Sequence, residues 1–187
     1  MSYLACLWLV TEDENVVSAV EQLDDQFGRP IHVAPHITLS TATVEASTKG
    51  IADAEAWAKD VLDTLGGDVC LRLGEIEFSN VFLQCAIAPV VPGADEARFF
   101  EVHKYAEALV RDSADMGYRH KGNFRPHVSF LYANLCHLGD VGRERVQEVF
   151  DESVGPHADV VFNKLVLCFI DEAEDKADVT KWSYVIL

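Results

Sequence analysis

Two short segments of the sequence place a histidine directly after a proline and two residues before a hydroxyl side chain. They are Pro35-His36-Ile37-Thr38 and Pro126-His127-Val128-Ser129. In a β-strand, residues i and i+2 lie on the same face, so each segment presents one imidazole and one hydroxyl side by side. Proline is tolerated where a strand begins. Both segments are therefore predicted to be strands that carry a reactive pair.

Two imidazoles and two hydroxyls in one cleft suit the hydrolysis of a cyclic phosphate. Opening the ring needs a base that takes a proton from water and an acid that protonates the leaving oxygen. Histidine, with an ordinary pKa of about 6.5, can do either near neutral pH, and each positioned proton transfer contributes roughly 10²–10⁴ in rate. The hydroxyls of Thr38 and Ser129 can donate hydrogen bonds to the non-bridging phosphate oxygens. This chemistry needs no metal ion and no organic cofactor.

One such motif alone is more often a strand histidine beside a surface hydroxyl. Two copies, 127 − 36 = 91 residues apart, favour the catalytic interpretation. His32 and His36 are four residues apart, as paired zinc ligands on a helix would be, but Pro35 argues against a helix and no HExxH is present. No metal site is expected. His103 is interpreted as a packing residue of a helix.

The elements that must position the motifs follow one plan in both halves of the chain. Each half, about 1–78 and about 79–187, reads strand, helix, motif strand, helix, strand. Thr11-Glu12-Asp13-Glu14 predicts a capping box with Thr11 as N-cap. No linker-like composition separates the halves, so one α+β domain with two intermixed lobes is predicted. The helices are predicted at about 11–27, 48–65, 94–110 and 141–150.

Charge and composition limit the range of partners. The net charge of −16 disfavours long nucleic acids, whose binding depends on many Lys/Arg–phosphate contacts. No apolar run reaches the roughly 18 residues of a membrane span, and the first eight residues lack the basic residues of a signal peptide. The five scattered cysteines favour buried thiols in a reduced compartment, with one disulfide or a redox role as the alternative. A cytoplasmic monomer is expected, and peripheral endomembrane association is compatible with the sequence.

The two motifs resemble the paired H-x-[S/T] signatures of the 2H phosphoesterase superfamily. Their wider contexts, PHITLS and RPHVSFLY, are most similar to the eukaryotic cyclic phosphodiesterase branch of fungi and plants. The resemblance covers the motif spacing, the order of elements and nearly the whole length. It implies a bilobal α+β fold, with two mainly antiparallel sheets flanked by helices around a central cleft. By position, the catalytic roles fall on His36, Thr38, His127 and Ser129.

The resemblance also implies a substrate class. It points to hydrolysis of ADP-ribose 1″,2″-cyclic phosphate, a by-product of tRNA splicing, to ADP-ribose 1″-phosphate. Nucleoside 2′,3′-cyclic phosphates would be opened to 2′-phosphates as well. Two other functions stay open: a 2H enzyme acting on 2′-5′ oligonucleotides or RNA-end cyclic phosphates, and a non-catalytic nucleotide-binding module.

Two aromatic residues match further positions of this branch. Tyr132 lies where these enzymes hold the substrate or the attacking water, and Trp8 lies where they carry a tryptophan near the cleft. Strand alternation places Tyr132 on the face opposite to Ser129, so a bulge or strand end must turn it round. A core role is the alternative for both aromatic residues. Because Tyr132 is near His127 in sequence, His127 is assigned as the base and His36 as the acid, with the reverse left open.

A basic loop and one phenylalanine complete the candidate site. Arg119 and Lys121 belong to loop 117–125, which leads into the second motif and holds a local cluster of positive charge. They are predicted to grip the pyrophosphate or adenosine end of the substrate, and a solvated loop is the alternative. Phe82 is predicted either to stack on a base or to pack in the core.

Overall fold

The computed structural model describes residues 1–27, 33–80, 84–118, 124–132, 135–172 and 182–187. Within them the helices are α1 (Glu14–Gln26), α2 (Thr48–Leu65), α3 (Glu96–Asp112) and α4 (Leu135–Ser153). The strands are β1 (Ser2–Val10), β2 (His36–Glu45), β3 (Val69–Leu73), β4 (Glu77–Phe78), β5 (Ala86–Val91), β6 (Gly117–Tyr118), β7 (His127–Leu131), β8 (Asp159–Phe162), β9 (Lys164–Asp171) and β10 (Ser183–Ile186).

The strands form a strongly curled antiparallel sheet, and the α+β class is confirmed. Its order is β10-β9-β1-β2-β7-β5-β3-β8, with β4 beside β5 and β6 beside β2. The two expected antiparallel sheets are joined because β5 pairs with β7 on one side and with β3 on the other. The halves of the chain exchange strands across this sheet: β3 lies between β5 and β8, whereas β9 lies beside β1 and β10 lies beside β9. This order brings the two motif strands, β2 and β7, together at its centre.

The two faces of the sheet bury different residues. One face forms the main core with the helices, to which β1 contributes Ala5, Leu7 and Leu9. The opposite face carries a smaller cluster, to which β1 contributes Cys6, Trp8 and Val10. Because side chains alternate along a strand, β1 is buried on both sides. The smaller cluster therefore makes one wall of the site described below.

The start of α1 differs from the predicted capping box. The N-cap is Asp13, whose carboxylate accepts hydrogen bonds from the N–H groups of Asn15 and Val16. The Thr11 hydroxyl instead donates to the carbonyl of Val161 at 2.6 Å, and accepts from the N–H of Asp13. The prediction of Thr11 as the N-cap is thus wrong. Its hydroxyl connects the end of β1 to β8, and the aspartate two residues later caps the helix.

Among the residues described, no helix has the length and apolarity required to cross a membrane. Four of the cysteines, Cys6, Cys70, Cys85 and Cys168, are present as thiols.

Candidate active site

The two motif strands are direct neighbours in the sheet. β2 and β7 run antiparallel, and Ile37 pairs with Val128. Extending this register by one residue places His36 opposite Ser129, and His127 opposite Thr38. Cβ atoms of directly opposite residues lie about 4.5–5.5 Å apart. Each histidine therefore faces the hydroxyl of the other motif, and the four side chains form one constellation.

The side chains between the motif residues point the other way. Ile37 and Val128 are fully buried in the main core on the helix-covered face. The four polar side chains consequently emerge together on the opposite face, where they line a cavity of about 470 Å³. We call it the histidine cavity. Its walls also include Trp8, Tyr132, Trp182, His103, Glu107, Phe124, Arg125, Ser40 and Thr41.

Matching hydrogen bonds orient the two imidazoles. Nδ1 of His36 donates to the carbonyl of Ala34, and Nδ1 of His127 donates to the carbonyl of Arg125, both at 2.8 Å. In each case the acceptor lies two residues earlier, across the rigid proline that opens the motif. A carbonyl accepts only from a protonated nitrogen, so Nδ1 carries the hydrogen in both rings. Nε2 is then the nitrogen left for proton transfer in the histidine cavity.

Trp8 holds the His36 ring on one side. The two rings stack with centroids 3.8 Å apart and an interplanar angle of 14°, because Trp8 of β1 pairs with Thr38 of β2. Trp182 and Tyr184 pack around the indole at 5.7 and 5.6 Å. Sequence reasoning placed Trp8 near the cleft, and the structure places it in the wall, in contact with a motif histidine.

The two histidines differ in their surroundings. His36 is buried, and burial lowers its pKa to about 4, with the nearby His127 acting in the same direction. Burial also lowers the pKa of His127, but less, because this ring is less enclosed. The charge of Arg125, which is bound to both carboxylate oxygens of Glu77 at 2.5 and 2.6 Å, also lowers the pKa of His127, as a smaller cause than burial. At neutral pH, His127 therefore takes up a proton more readily than His36.

Both motif strands carry a bulge directly after the hydroxyl residue. On β2, the partners of Leu7 and Trp8 are Ser40 and Thr38, so Leu39 is the extra residue. On β7, the partners of Ala86 and Ile87 are Leu131 and Ser129, so Phe130 is the extra residue. A bulge interrupts strict alternation and bends the strand. The same backbone irregularity, a β-bulge, thus follows the hydroxyl residue in both motif strands.

The second bulge explains the position of Tyr132. Phe130 and Leu131 both pack in the main core, so the alternation is reset and Tyr132 returns to the same face as Ser129. A hydrogen bond joins the hydroxyls of Tyr132 and Ser129. Burial raises the pKa of Tyr132, which therefore keeps its proton. Tyr132 lines the histidine cavity, on the Ser129 side that faces His36.

Three predicted binding residues fall outside the described part of the chain: Phe82, Arg119 and Lys121. Their roles stay predictions. His103 was interpreted as packing, and it does pack, but it also lines the histidine cavity. The signal that could have found it is its polar ring close to the apolar stripe of α3. Within the described ranges, no group of three or more potential ligands is placed to hold a metal ion.

The depressed pKa of His36 predicts a specific loss of stability in acid. The unfolded chain binds a proton at this residue below pH 6.5, whereas the folded protein does not do so until about pH 4. His36 therefore contributes about 3 kcal/mol to the free energy of unfolding above pH 6.5. This contribution is lost as the pH falls towards 4. Urea unfolding of wild type and His36→Gln across this range measures it. Parallel pH dependence of the two proteins would show that His36 is not the titrating group.

One protein family and one solved structure are similar to this chain. Residues 5–164 match the model of the family described as cyclic phosphodiesterase-like protein. Among curated proteins, none is similar enough to count as a match. A solved structure, that of Usb1 from Kluyveromyces marxianus, aligns with 100% of this chain and 97% of its own at 16% identity, with a TM-score of 0.46.

The family match spans most of the chain, so this protein belongs to the cyclic phosphodiesterase-like family. The resemblance to the 2H phosphoesterases, first seen in the two motifs, is confirmed. At this level the protein is a 2H phosphodiesterase.

Proposed function

We propose that this protein hydrolyses ADP-ribose 1″,2″-cyclic phosphate to ADP-ribose 1″-phosphate, and opens nucleoside 2′,3′-cyclic phosphates to nucleoside 2′-phosphates. Its natural substrate would then be the small cyclic phosphate left by tRNA splicing, handled by a cytoplasmic monomer. The observation that carries the proposal is the pairing of Ile37 with Val128, which gives one cavity two imidazoles and two hydroxyls. That set meets the needs of cyclic phosphate hydrolysis without a metal ion.

The pKa order favours His36 as the base and His127 as the acid. A base must be neutral before the reaction, and His36 with a pKa of about 4 is neutral at pH 7. The less buried His127 is the better proton donor. This reverses the assignment made from the proximity of Tyr132 to His127 in sequence. In space, the Ser129–Tyr132 pair lies on the side of His36, so a water held there is next to the base.

The reaction then proceeds as an in-line displacement. Nε2 of His36 takes a proton from water as the water oxygen attacks phosphorus. The bond from phosphorus to the 3′ oxygen breaks, and Nε2–H of His127 gives its proton to that oxygen. The product is the 2′-phosphate, or the 1″-phosphate when the leaving oxygen is O2″. Thr38 and Ser129 donate hydrogen bonds to the non-bridging oxygens, where charge develops.

A second cavity supports a substrate larger than a mononucleotide. It has a volume of about 640 Å³ and shares Trp8 with the histidine cavity, while Ala34 and Pro35 join its wall to His36. Its lining is largely apolar, with carboxylates on α1 and with Lys164 bound to Glu12 at 2.5 Å. Carboxylates accept hydrogen bonds from ribose hydroxyls and from a base amino group. We therefore place the nucleoside end of ADP-ribose cyclic phosphate here.

Filling this second cavity should separate the two substrates. Val17 of α1 lines it, and Val17→Phe is expected to raise KM for ADP-ribose 1″,2″-cyclic phosphate by roughly 10-fold. KM for 2′,3′-cyclic AMP should stay unchanged, because that substrate fits within the histidine cavity. Val141→Phe, at a position of α4 that is 80% exposed, is the matched control. Equal effects on both substrates would remove this cavity from the binding site.

Substrate profiling tests the proposed function itself. The purified protein is assayed with ADP-ribose 1″,2″-cyclic phosphate, 2′,3′-cyclic AMP, a 2′-5′ oligoadenylate and an RNA that ends in a cyclic phosphate. Preferred turnover of the ADP-ribose compound, with the 1″-phosphate as product, is the expected result. Preference for either of the last two compounds would replace the substrate assignment. Nucleotide binding without turnover of any compound would favour a non-catalytic binding module.

A further inference from the structure

A third histidine, His103 of α3, contributes to the wall of the histidine cavity. It is buried, and it approaches the motif strands from the helix that packs against β2. None of the steps proposed above uses it.

The contacts of His103 fix its ring on three sides. Nδ1 donates to the carbonyl of Leu39 at 2.8 Å. Nε2 lies 3.8 Å from Oε2 of Glu107, one turn further along α3, and this carboxylate is also largely buried. The ring stacks on Phe124 with centroids 3.5 Å apart and an angle of 11°. A side chain held in this way positions whatever it binds.

The acceptor of the first bond, Leu39, is the bulge residue that follows Thr38 on β2. A bulge takes its extra residue out of the regular ladder, so the local backbone depends on other partners for its hydrogen bonds. The N–H of His103 is such a partner. Its bond therefore sets the backbone next to the Thr38 hydroxyl, although His103 itself is far along the sequence from either motif.

We propose that His103 is a positioning residue for the reaction, which acts by holding the β2 bulge so that the Thr38 hydroxyl points at the phosphate. The effect on turnover rests on the proposed function, whereas the effect on Thr38 does not. Misplacing one donor by about 1 Å costs roughly 10² in rate. Loss of the His103 bond is thus expected to lower kcat by roughly 10–10²-fold with a small change in KM.

Two amide variants of His103 test whether a donor is needed at the position of Nδ1 or at that of Nε2. In His103→Asn the amide nitrogen occupies nearly the place of Nδ1 and can still donate to the Leu39 carbonyl. In His103→Gln the amide nitrogen lies nearer the place of Nε2. With 2′,3′-cyclic AMP, we expect His103→Asn to keep kcat within a few-fold of wild type and His103→Gln to lose roughly 10-fold or more. Equal kcat values for the two variants would overturn the proposal.

Double-mutant cycles then test whether His103 acts on turnover through Thr38 rather than through Ser129. His103→Leu combined with Thr38→Val is expected to cost less than the product of the single losses, because both changes remove the same positioned hydroxyl. His103→Leu combined with Ser129→Ala is expected to multiply the single losses. Multiplicative losses in both cycles would overturn the proposal. If His103→Leu does not fold, the comparison of the asparagine and glutamine variants still decides.

An NMR measurement separates this inference from the proposed function. The amide and methyl chemical shifts of Thr38 are expected to move more in His103→Gln than in His103→Asn, and more than the amide shift of Ser129. An inactive wild type with this pattern would contradict the function and leave His103 as the group that positions Thr38. An active wild type in which the Thr38 shifts do not move would contradict the inference alone.

Discussion

Alanine in place of either motif histidine is expected to lower kcat/KM for 2′,3′-cyclic AMP by roughly 10²–10⁴. His36→Ala removes the group that takes the proton of water, and His127→Ala removes the group that protonates the leaving oxygen. Because the two act in one displacement, the double variant should fall only slightly below the worse single variant. Initial rates at pH 7, with unfolding curves recorded for each protein, measure the effect.

The control for these variants is His157→Ala. His157 is an exposed turn residue with a φ of 65°, and it lies outside both cavities. Wild-type rates are expected for it. A folded His36→Ala or His127→Ala protein that keeps more than about a tenth of wild-type kcat/KM would contradict a proton-transfer role for that residue.

The pH profile of kcat/KM distinguishes the two roles. Wild type needs His36 neutral and His127 protonated, so the rate should rise as the pH passes about 4 and fall as it passes the lowered pKa of His127. The optimum therefore lies on the acid side of pH 6.5. Residual activity of His127→Ala should lack the alkaline decline, and that of His36→Ala should lack the acidic rise. The opposite pattern would restore His127 as the base.

Removal of either motif hydroxyl is expected to lower kcat by roughly 10²–10³, the usual effect of losing one donor to a developing oxyanion. Thr38→Val and Ser129→Ala are the test variants, and Thr38→Ser should restore most of the rate because it keeps the hydroxyl. KM should change little, since the bond strengthens in the transition state. Steady-state kinetics with 2′,3′-cyclic AMP give both parameters.

The two hydroxyls should differ in one respect. Ser129 is hydrogen-bonded to Tyr132, so Ser129→Ala is expected to lower kcat by less in a Tyr132→Phe protein than in wild type. Thr38→Val is expected to lower kcat equally in both. Thr64→Val, at an exposed position of α2, controls for the loss of a threonine hydroxyl as such. Unchanged kcat in both Thr38→Val and Ser129→Ala would show that the hydroxyls do not contact the transition state.

The local features of the fold could be read from the sequence because they depend on neighbouring residues. Apolar spacing located the helices, and the proline before each histidine marked the start of each motif strand. Prediction of the elements from the sequence was incomplete where the chain departs from a regular pattern. The main part of α4 follows Gly139, close to the predicted start at Val141. The short helical segment from Leu135 was not predicted, and Gly139, whose φ of 61° and ψ of −173° are not helical, separates the two parts.

Properties of the site that depend on distant strands could not be read in this way. The side occupied by Tyr132 follows from the bulge at Phe130, and a bulge leaves no simple trace in apolar alternation. The proposed acid and base order depends on the burial of His36, to which Trp8 contributes through strand pairing. His103 has the spacing of a core residue, and only its bond to Leu39 connects it with a motif.

The central claim is that two paired motif strands hydrolyse a cyclic phosphate by histidine acid–base catalysis. Its most direct test is the hydrolysis of 2′,3′-cyclic AMP in ¹⁸O-labelled water with EDTA present, followed by ³¹P NMR. We expect 2′-AMP as the only product, with one ¹⁸O on phosphorus and a rate that EDTA does not change. Formation of 3′-AMP or loss of activity in EDTA would contradict the account. So would a folded protein that turns over neither 2′,3′-cyclic AMP nor ADP-ribose 1″,2″-cyclic phosphate.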